Sequence, residues 1–199
     1  MANQNQKNQQ HTEEFLESDY LTPPTREVLQ KRLDHVGIPQ FFDAGSFQLL
    51  SIVCDLLMDQ DSKERIVEIA IFIDGRLFKN ISDGWRYDCL PPDRMLYQQG
   101  LKNIEASSKK QYQKEFLELQ KPQHLELLSN IQKGNVDDEI WKNINPMLFF
   151  EEVLAEATAI FFSHPIVQTR IHYVGMADAK GWTKLKLNEV EKPETDITN

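Results

Sequence analysis

The sequence has little of what cofactor chemistry requires. Its eight glycines never take the G-x-G-x-x-G spacing, which a dinucleotide site needs because only glycines let backbone amides close on a pyrophosphate. A P-loop is excluded for the same reason. The C-x-x-C-H haem attachment and the G-x-S-x-G nucleophile elbow are also missing. The sequence therefore predicts no cofactor in this chain and no catalytic residue.

Cysteine and metal-ligand patterns are equally scarce. The two cysteines, Cys54 and Cys89, are too few for a disulfide framework or a cysteine-rich metal site. Cys54 lies in an apolar run and is expected in the core, whereas Cys89 lies in a loop; a disulfide between them remains open. None of the five histidines follows a glutamate by three positions, which excludes the Glu-x-x-His pairs of di-iron bundles. No metal site is predicted.

Long hydrophobic runs and targeting signals are absent from the chain as given. A bilayer span needs about 18 apolar residues, and the richest segment, residues 147–162, is interrupted by Glu151, Glu152 and Glu156. Residues 1–12 hold one lysine, no apolar stretch and no twin arginine. We therefore expect no membrane insertion and a cytoplasmic location, judged from the chain alone.

The charge balance is acidic. The formal net charge is −9, with 27% charged and 40% hydrophobic residues, which is ordinary for a globular protein. Nucleic acid would require clustered Lys and Arg to meet its phosphates, and no such cluster occurs. The composition argues against nucleic acid as a partner.

Helix signals follow one another along residues 21–187, which we interpret as a single compact all-α domain of about six helices. Residues 1–20 are predicted to be a flexible polar tail and residues 188–199 a flexible acidic tail. Helices are expected at 23–36, from Asp43 onward, at 91–108, 121–134 and 146–164, with short pieces at 112–119 and 137–143. Residues 65–78 favour a helix, although their β-branched residues leave a buried strand open. Residues 166–187 are expected to be irregular or extended.

Large aromatic residues outside the helical core are candidates for binding a partner. Trp85, Tyr87 and Trp182 fall in loop-like segments, where they either cover the chain's own helices or contact another protein. Tyr97, His164 and Tyr173 are further candidates for contact with a partner. The predicted contact set is therefore Trp85, Tyr87, Tyr97, His164, Tyr173 and Trp182. Glu152 and Glu156, four residues apart on one helix, are interpreted as a solvated face.

Several weak motifs in a fixed order resemble the gluconate 2-dehydrogenase subunit 3 family. They are the Phe41-Phe42-Asp43 step before FQLLSIVCDLLMDQD, the segment IVEIAIFIDGRL with its F-I-D step, and the Gly-Leu helix that leads to a Gln-rich helix ending near glycine. The segment FFEEVLAEATAIFFSHP and the later Gly181-Trp182 complete the series. Two features depart from the family: no twin-arginine signal is present, and residues 164–175 lack its aromatic-Gly-Gly-Asn step.

The resemblance implies a non-catalytic accessory subunit that stabilises or chaperones its partner in an oxidoreductase complex. The partner would be a large flavoprotein dehydrogenase of the glucose-methanol-choline type that carries FAD, often joined by a cytochrome c subunit with haem c. Such complexes oxidise sugars or sugar acids, and the resemblance allows a periplasmic location by co-export. The alternative is a stand-alone helical protein, which predicts an internal apolar pocket with a few polar groups; an independent enzyme is a third possibility.

Overall fold

A computed structural model describes residues 11–18, 21–34, 37–61, 63–82, 84, 87–171 and 173. Across these residues every regular element is helical and no strand occurs, which confirms the all-α prediction. The helices are α1 (residues 11–17), α2 (Pro23–Leu33), α3 (Ala44–Leu57), α4 (Ile69–Phe78), α5 (Asp93–Tyr112), α6 (Lys121–Lys133), α7 (Asp138–Trp141), α8 (Pro146–Ser163) and α9 (Pro165–Arg170), with a 3-10 turn at Phe116–Glu118.

The chain divides into two compact units. One unit is residues 37–160, and the other combines residues 1–36 with residues 161–199. The first holds α3 to α7 and most of α8, and the described part of the second holds α1, α2 and α9. The tail and domain boundaries expected from composition stay predictions, and residues 188–199 lie outside the described residues.

Local capping rules place most of the helix starts. The Asp43 carboxylate accepts a hydrogen bond from the Ser46 amide at 2.9 Å, and the Asn145 side chain accepts one from the Met147 amide at 3.0 Å. Gly134 ends α6 in the left-handed conformation, with φ 72°. These three ends confirm the helix predictions made at the same residues.

The ambiguous segment at residues 65–78 is helical only from Ile69. Before that point, the buried Gln60 side chain takes the hydrogen bonds that a helix would use. Its Oε1 accepts from the amides of Ile66 and Val67, both at 3.0 Å, and its Nε2 donates to the Val67 carbonyl at 3.0 Å. The favoured helix is therefore confirmed for the second part of the segment, and the first part is held extended by one glutamine.

Two short helices were not expected from the sequence. In α1, Leu16 is buried against Leu21 and Leu29, and Arg26 Nε donates to the Leu16 carbonyl at 2.5 Å. The polar composition of residues 1–20 concealed the buried position of Leu16. In α9, Pro165 stands at the first helical position after the N-cap His164. Residues 166–187 were expected to be irregular or extended because a proline commonly ends a helix, but a proline also starts helices.

The buried stripe of α8 differs from the predicted one. Phe149, Val153 and Ala157 are its buried residues, at a spacing of four. The helical spacing of the sequence predicts a stripe of Phe150, Val153, Leu154, Ala157 and Phe161. Val153 and Ala157 are confirmed, whereas the prediction was wrong for the other three, which are half-buried. Within the described residues both cysteines are free thiols, and Cys54 is buried as expected.

A candidate protein interface

Four exposed apolar side chains of the unit 37–160 lie on segments that meet around the start of α5. They are Ile38, which is 81% exposed, Phe78 at the end of α4, Ile81 just after it, and Met95 in the first turn of α5. We call Ile38, Phe78, Ile81 and Met95 the α4–α5 surface. Scattered exposed apolar residues are normal, so the contacts that hold these segments together decide whether this surface has a fixed form.

The turn that ends α4 fixes Ile81. The Asn80 amide donates to the Leu77 carbonyl at 3.0 Å, and the Ile81 amide donates to the Arg76 carbonyl at 3.1 Å. Asn80 has φ 53°. This pattern is a Schellman motif, in which asparagine is tolerated in the left-handed position. Ile81 therefore occupies a defined place beside the last turn of α4.

A small hollow of about 200 Å³ separates this turn from the start of α5. Its lining includes Leu77, Ile81, Pro92 and Arg94. The Arg94 guanidinium lies over the ring of Phe41, 4.9 Å from its centroid. This contact connects the start of α5 to the segment that carries Ile38.

Arg76 closes the base of the loop between α4 and α5. Its Nη1 donates to the Ile81 carbonyl at 2.9 Å and to Asp93 Oδ2 at 2.5 Å. Its Nε and Nη2 donate to the two oxygens of Glu156 at 2.6 and 2.8 Å. Burial opposes the charge on Arg76, but the hydrogen bonds to Glu156 and Asp93 outweigh it, so the pKa of Arg76 lies above its ordinary value. One guanidinium thus joins α4, α5 and α8.

Tyr97 and Glu156 occupy this network rather than the surface. The Tyr97 hydroxyl donates to Glu156 Oε2 at 2.5 Å, and the side chain is only 1% exposed. Burial, followed by the negative charge of Glu156, raises the pKa of Tyr97 well above its ordinary value. A partner contact at Tyr97 is therefore wrong, because the ring is in the core. The expectation of a solvated face is also wrong for Glu156.

Asp74 holds the segment before α3 in place. Its buried carboxylate accepts hydrogen bonds from the backbone amides of Gln40 at 2.6 Å, Phe41 at 3.0 Å and Phe42 at 2.9 Å. Asp74 is the aspartate of the F-I-D step, and Phe41 and Phe42 begin the Phe-Phe-Asp step. Two of the motifs that looked independent in the sequence are therefore one structural contact.

The remaining predicted contact residues are spread over both units. Tyr87, half-buried in the loop between α4 and α5, donates its hydroxyl to Glu151 Oε2 at 3.2 Å, and this bond raises the pKa of Tyr87. Tyr173 is exposed in the other unit. Trp85 and Trp182 lie outside the described residues, so contacts there stay predictions.

His164 is buried at the N-cap of α9 and is not a surface residue; a partner contact there is wrong for this reason. The pKa of His164 is lowered to about 4, mainly by burial; a hydrogen bond to the Arg32 backbone opposes this shift, and the positive charge of Arg32 adds to it. The Arg32 guanidinium in turn donates to the carbonyl of Ser163 at 3.0 Å. Neutral His164 thus belongs to the contact between α2 and the start of α9.

We expect acid to weaken the unit that contains His164. The pKa of His164 is lower in the folded protein than its unfolded value of about 6.5. The contribution of neutral His164 to the free energy of unfolding is therefore complete above pH 6.5 and is lost as the pH falls toward the folded pKa. Between about pH 6.5 and pH 4.5 the unfolding free energy should fall by about 2 kcal/mol more than in His164→Asn, which keeps a good N-cap but cannot titrate. Denaturant unfolding at both pH values measures this. Equal pH slopes for the two proteins would contradict the assignment.

The described ranges contain no group of three or more His, Cys, Asp or Glu side chains placed to hold a metal ion. None of the helices formed by these ranges combines the length and the hydropathy needed to cross a bilayer.

The described residues thus define a helical protein in which four of the exposed apolar side chains, those of the α4–α5 surface, lie on segments held by Asp74, Arg76 and Arg94. A family model for gluconate 2-dehydrogenase subunit 3 matches residues 44–182, more than half of the chain. The chain belongs to the gluconate 2-dehydrogenase subunit 3 family. No curated protein and no solved structure matches it. A subunit family implies a partner chain, and the match begins just after the Phe-Phe-Asp step.

Proposed function

We propose that the chain is the non-catalytic small subunit of a flavin-dependent sugar or sugar-acid dehydrogenase of the glucose-methanol-choline type. It binds the large subunit and stabilises it. FAD belongs to that large subunit, and a third, cytochrome c subunit would carry haem c. Export together with the partner would place the complex in the periplasm. Family membership carries the proposal, and the α4–α5 surface supplies the contact.

The α4–α5 surface suits binding because its supports are already formed in the isolated chain. Arg76 fixes Ile81 and the start of α5, while Asp74 fixes the segment after Ile38. Burying exposed apolar side chains is favourable by about 25 cal/mol per Å². A preorganised surface loses less of this gain to ordering on binding.

A stand-alone ligand-binding role has less support. That alternative calls for an internal apolar pocket with a few polar groups. Among the described residues, a cleft of about 330 Å³ between α5, α6 and α7 is instead open to solvent and has a mixed lining, in which Leu127 and Ile140 stand beside Ser107, Lys110 and Asp137. Lys110 and Asp137 are already joined by a salt bridge. This cleft is therefore not the internal apolar pocket that a stand-alone ligand-binding protein would have.

Co-purification from the native cell tests the proposed function. A tagged chain should bring down one large subunit with a flavin absorption spectrum in a fixed stoichiometry. A chain that purifies alone, or a large partner without flavin, would contradict the proposal.

A single apolar-to-charged substitution locates the contact. We expect Phe78→Glu to weaken binding of the large subunit at least about tenfold, because a carboxylate would be buried in an apolar contact. The matched control is Leu125→Glu on α6, since Leu125 is 46% exposed and Phe78 is 48% exposed. Pull-down titrations of both variants, after circular dichroism confirms that they fold, decide between the two surfaces. A loss with Leu125→Glu alone would move the interface to α6.

A further inference from the structure

The exposed charges beside the α4–α5 surface differ in sign from the chain as a whole. Lys79 follows Phe78 directly as the C-cap of α4, and Arg94 precedes Met95; both are exposed. Neither forms a salt bridge with a carboxylate of the described residues. The neighbouring Asp93 carboxylate is bound to Arg76. Two cations therefore flank this apolar surface in a chain whose net charge is −9.

The described part of this loop also has one exposed carboxylate, that of Asp88. Asp88 follows Tyr87, and the Tyr87 hydroxyl bonds to Glu151 of α8. The hollow beside Ile81, in contrast, has Arg94 in its lining and Asp93 held by Arg76. Lys79 and Arg94 thus stand at the two ends of the loop, and the carboxylate that lies in the hollow with Arg94, that of Asp93, is already paired with Arg76.

We propose that the α4–α5 surface docks on an apolar patch of the dehydrogenase large subunit that is rimmed by carboxylates. This inference rests on the proposed function and adds the chemistry of the partner face. Lys79 and Arg94 would contact those carboxylates, and the hollow lined by Ile81, Pro92 and Arg94 would receive one partner side chain. Complementary charge orients an encounter and excludes wrong partners.

The acidic remainder of the chain makes this arrangement selective. A partner face rich in carboxylates is repelled by most of a protein of charge −9 and attracted only where cations are exposed beside apolar side chains. The net charge alone suggests the opposite, a basic partner face. The local cations therefore predict an acidic partner face, whereas the net charge predicts a basic one. Reversing the charge of Lys79 or Arg94 distinguishes the two predictions.

The test uses the large subunit co-purified from the native cell and measures its binding to purified variants at low and at physiological salt. Lys79→Glu and Arg94→Glu should each weaken binding at least about tenfold at low salt, and less at higher salt because ions screen the contact. Lys79→Gln should fall between wild type and Lys79→Glu. The control is Lys133→Glu, which also reverses an exposed lysine at a helix C-terminus, that of α6, and should change binding less than about twofold.

The outcomes separate the two proposals. If wild type binds and the reversals at Lys79 and Arg94 leave affinity unchanged or raise it, the acidic rim is wrong while the subunit role stands. An equal loss with Lys133→Glu would show a general charge effect and would also overturn the acidic rim. If wild type binds no flavoprotein, both proposals fail together.

Discussion

Gly100→Ala is expected to destabilise the unit 37–160 by about 3 kcal/mol, although alanine is the better helix former. A Cβ at this position of α5 would lie 2.1 Å from Cε2 and 2.3 Å from Cζ of Phe149. That ring is held between Tyr97, at 6.3 Å between centroids, and Trp141, at 5.8 Å. Since it contacts both aromatic neighbours, the ring cannot give way at low cost. Denaturant unfolding measures the loss.

Gly75→Ala in α4 is the matched control. Apart from the neighbouring backbone of α4, no atom of the described residues lies within 4 Å of the position that a Cβ would take at Gly75. Alanine should therefore stabilise the protein by about 0.5 to 1 kcal/mol through helix propensity alone. Opposite signs for the two substitutions would establish the close approach of α5 to α8. A Gly100→Ala protein as stable as wild type would contradict the packing described for Phe149.

Asp74→Ala should cost about 4 kcal/mol of unfolding free energy. Three backbone amides, those of Gln40, Phe41 and Phe42, would lose their acceptor, and each buried donor left unsatisfied costs about 1 to 3 kcal/mol, with water compensating in part. The segment that carries Ile38 would be released, so binding of the large subunit should weaken as well. Chemical denaturation and the pull-down titration measure the two effects.

Asp74→Asn separates charge from shape at this site. Its amide oxygen can still accept, but its NH₂ group would face backbone donors, so we expect about half the loss of the alanine variant. Asp138→Ala, in the short helix α7, serves as a carboxylate control with an effect of about 0.5 kcal/mol or less. If Asp74→Ala proved no more damaging than this control, the bonds to residues 40–42 would not hold the segment.

Local rules predicted the elements whose hydrogen bonds are local. Asp43 and Asn145 cap helices through amides two or three residues away, so a short window of sequence contains the whole interaction. The order of several weak motifs was enough to predict the family, and the match of residues 44–182 to the family model confirms it. The F-I-D step was visible as a motif, but its purpose depends on a segment more than 30 residues earlier and could not be read locally.

The candidate interface was largely missed for the same reason. Aromatic content led to Tyr97, but a bond to Glu156, 59 positions away, holds it in the core. Phe78 and Ile81 carried a usable signal, since Phe78 falls outside the Ile69–Ile73–Leu77 series and Ile81 lies in a polar loop. Arg76 gave none, because only the assembled helices bring Asp93 and Glu156 to one guanidinium.

The closure of the α4–α5 loop by Arg76 has a consequence for variation within the family. Because the guanidinium binds the Ile81 carbonyl and the Asp93 carboxylate, near the two ends of the loop, a single side chain fixes the distance between the end of α4 and the start of α5. Loop length itself costs little free energy. Relatives could lengthen or recompose this loop to suit different large subunits while keeping the same helical frame, and an engineered peptide tag should be accepted there without unfolding the protein.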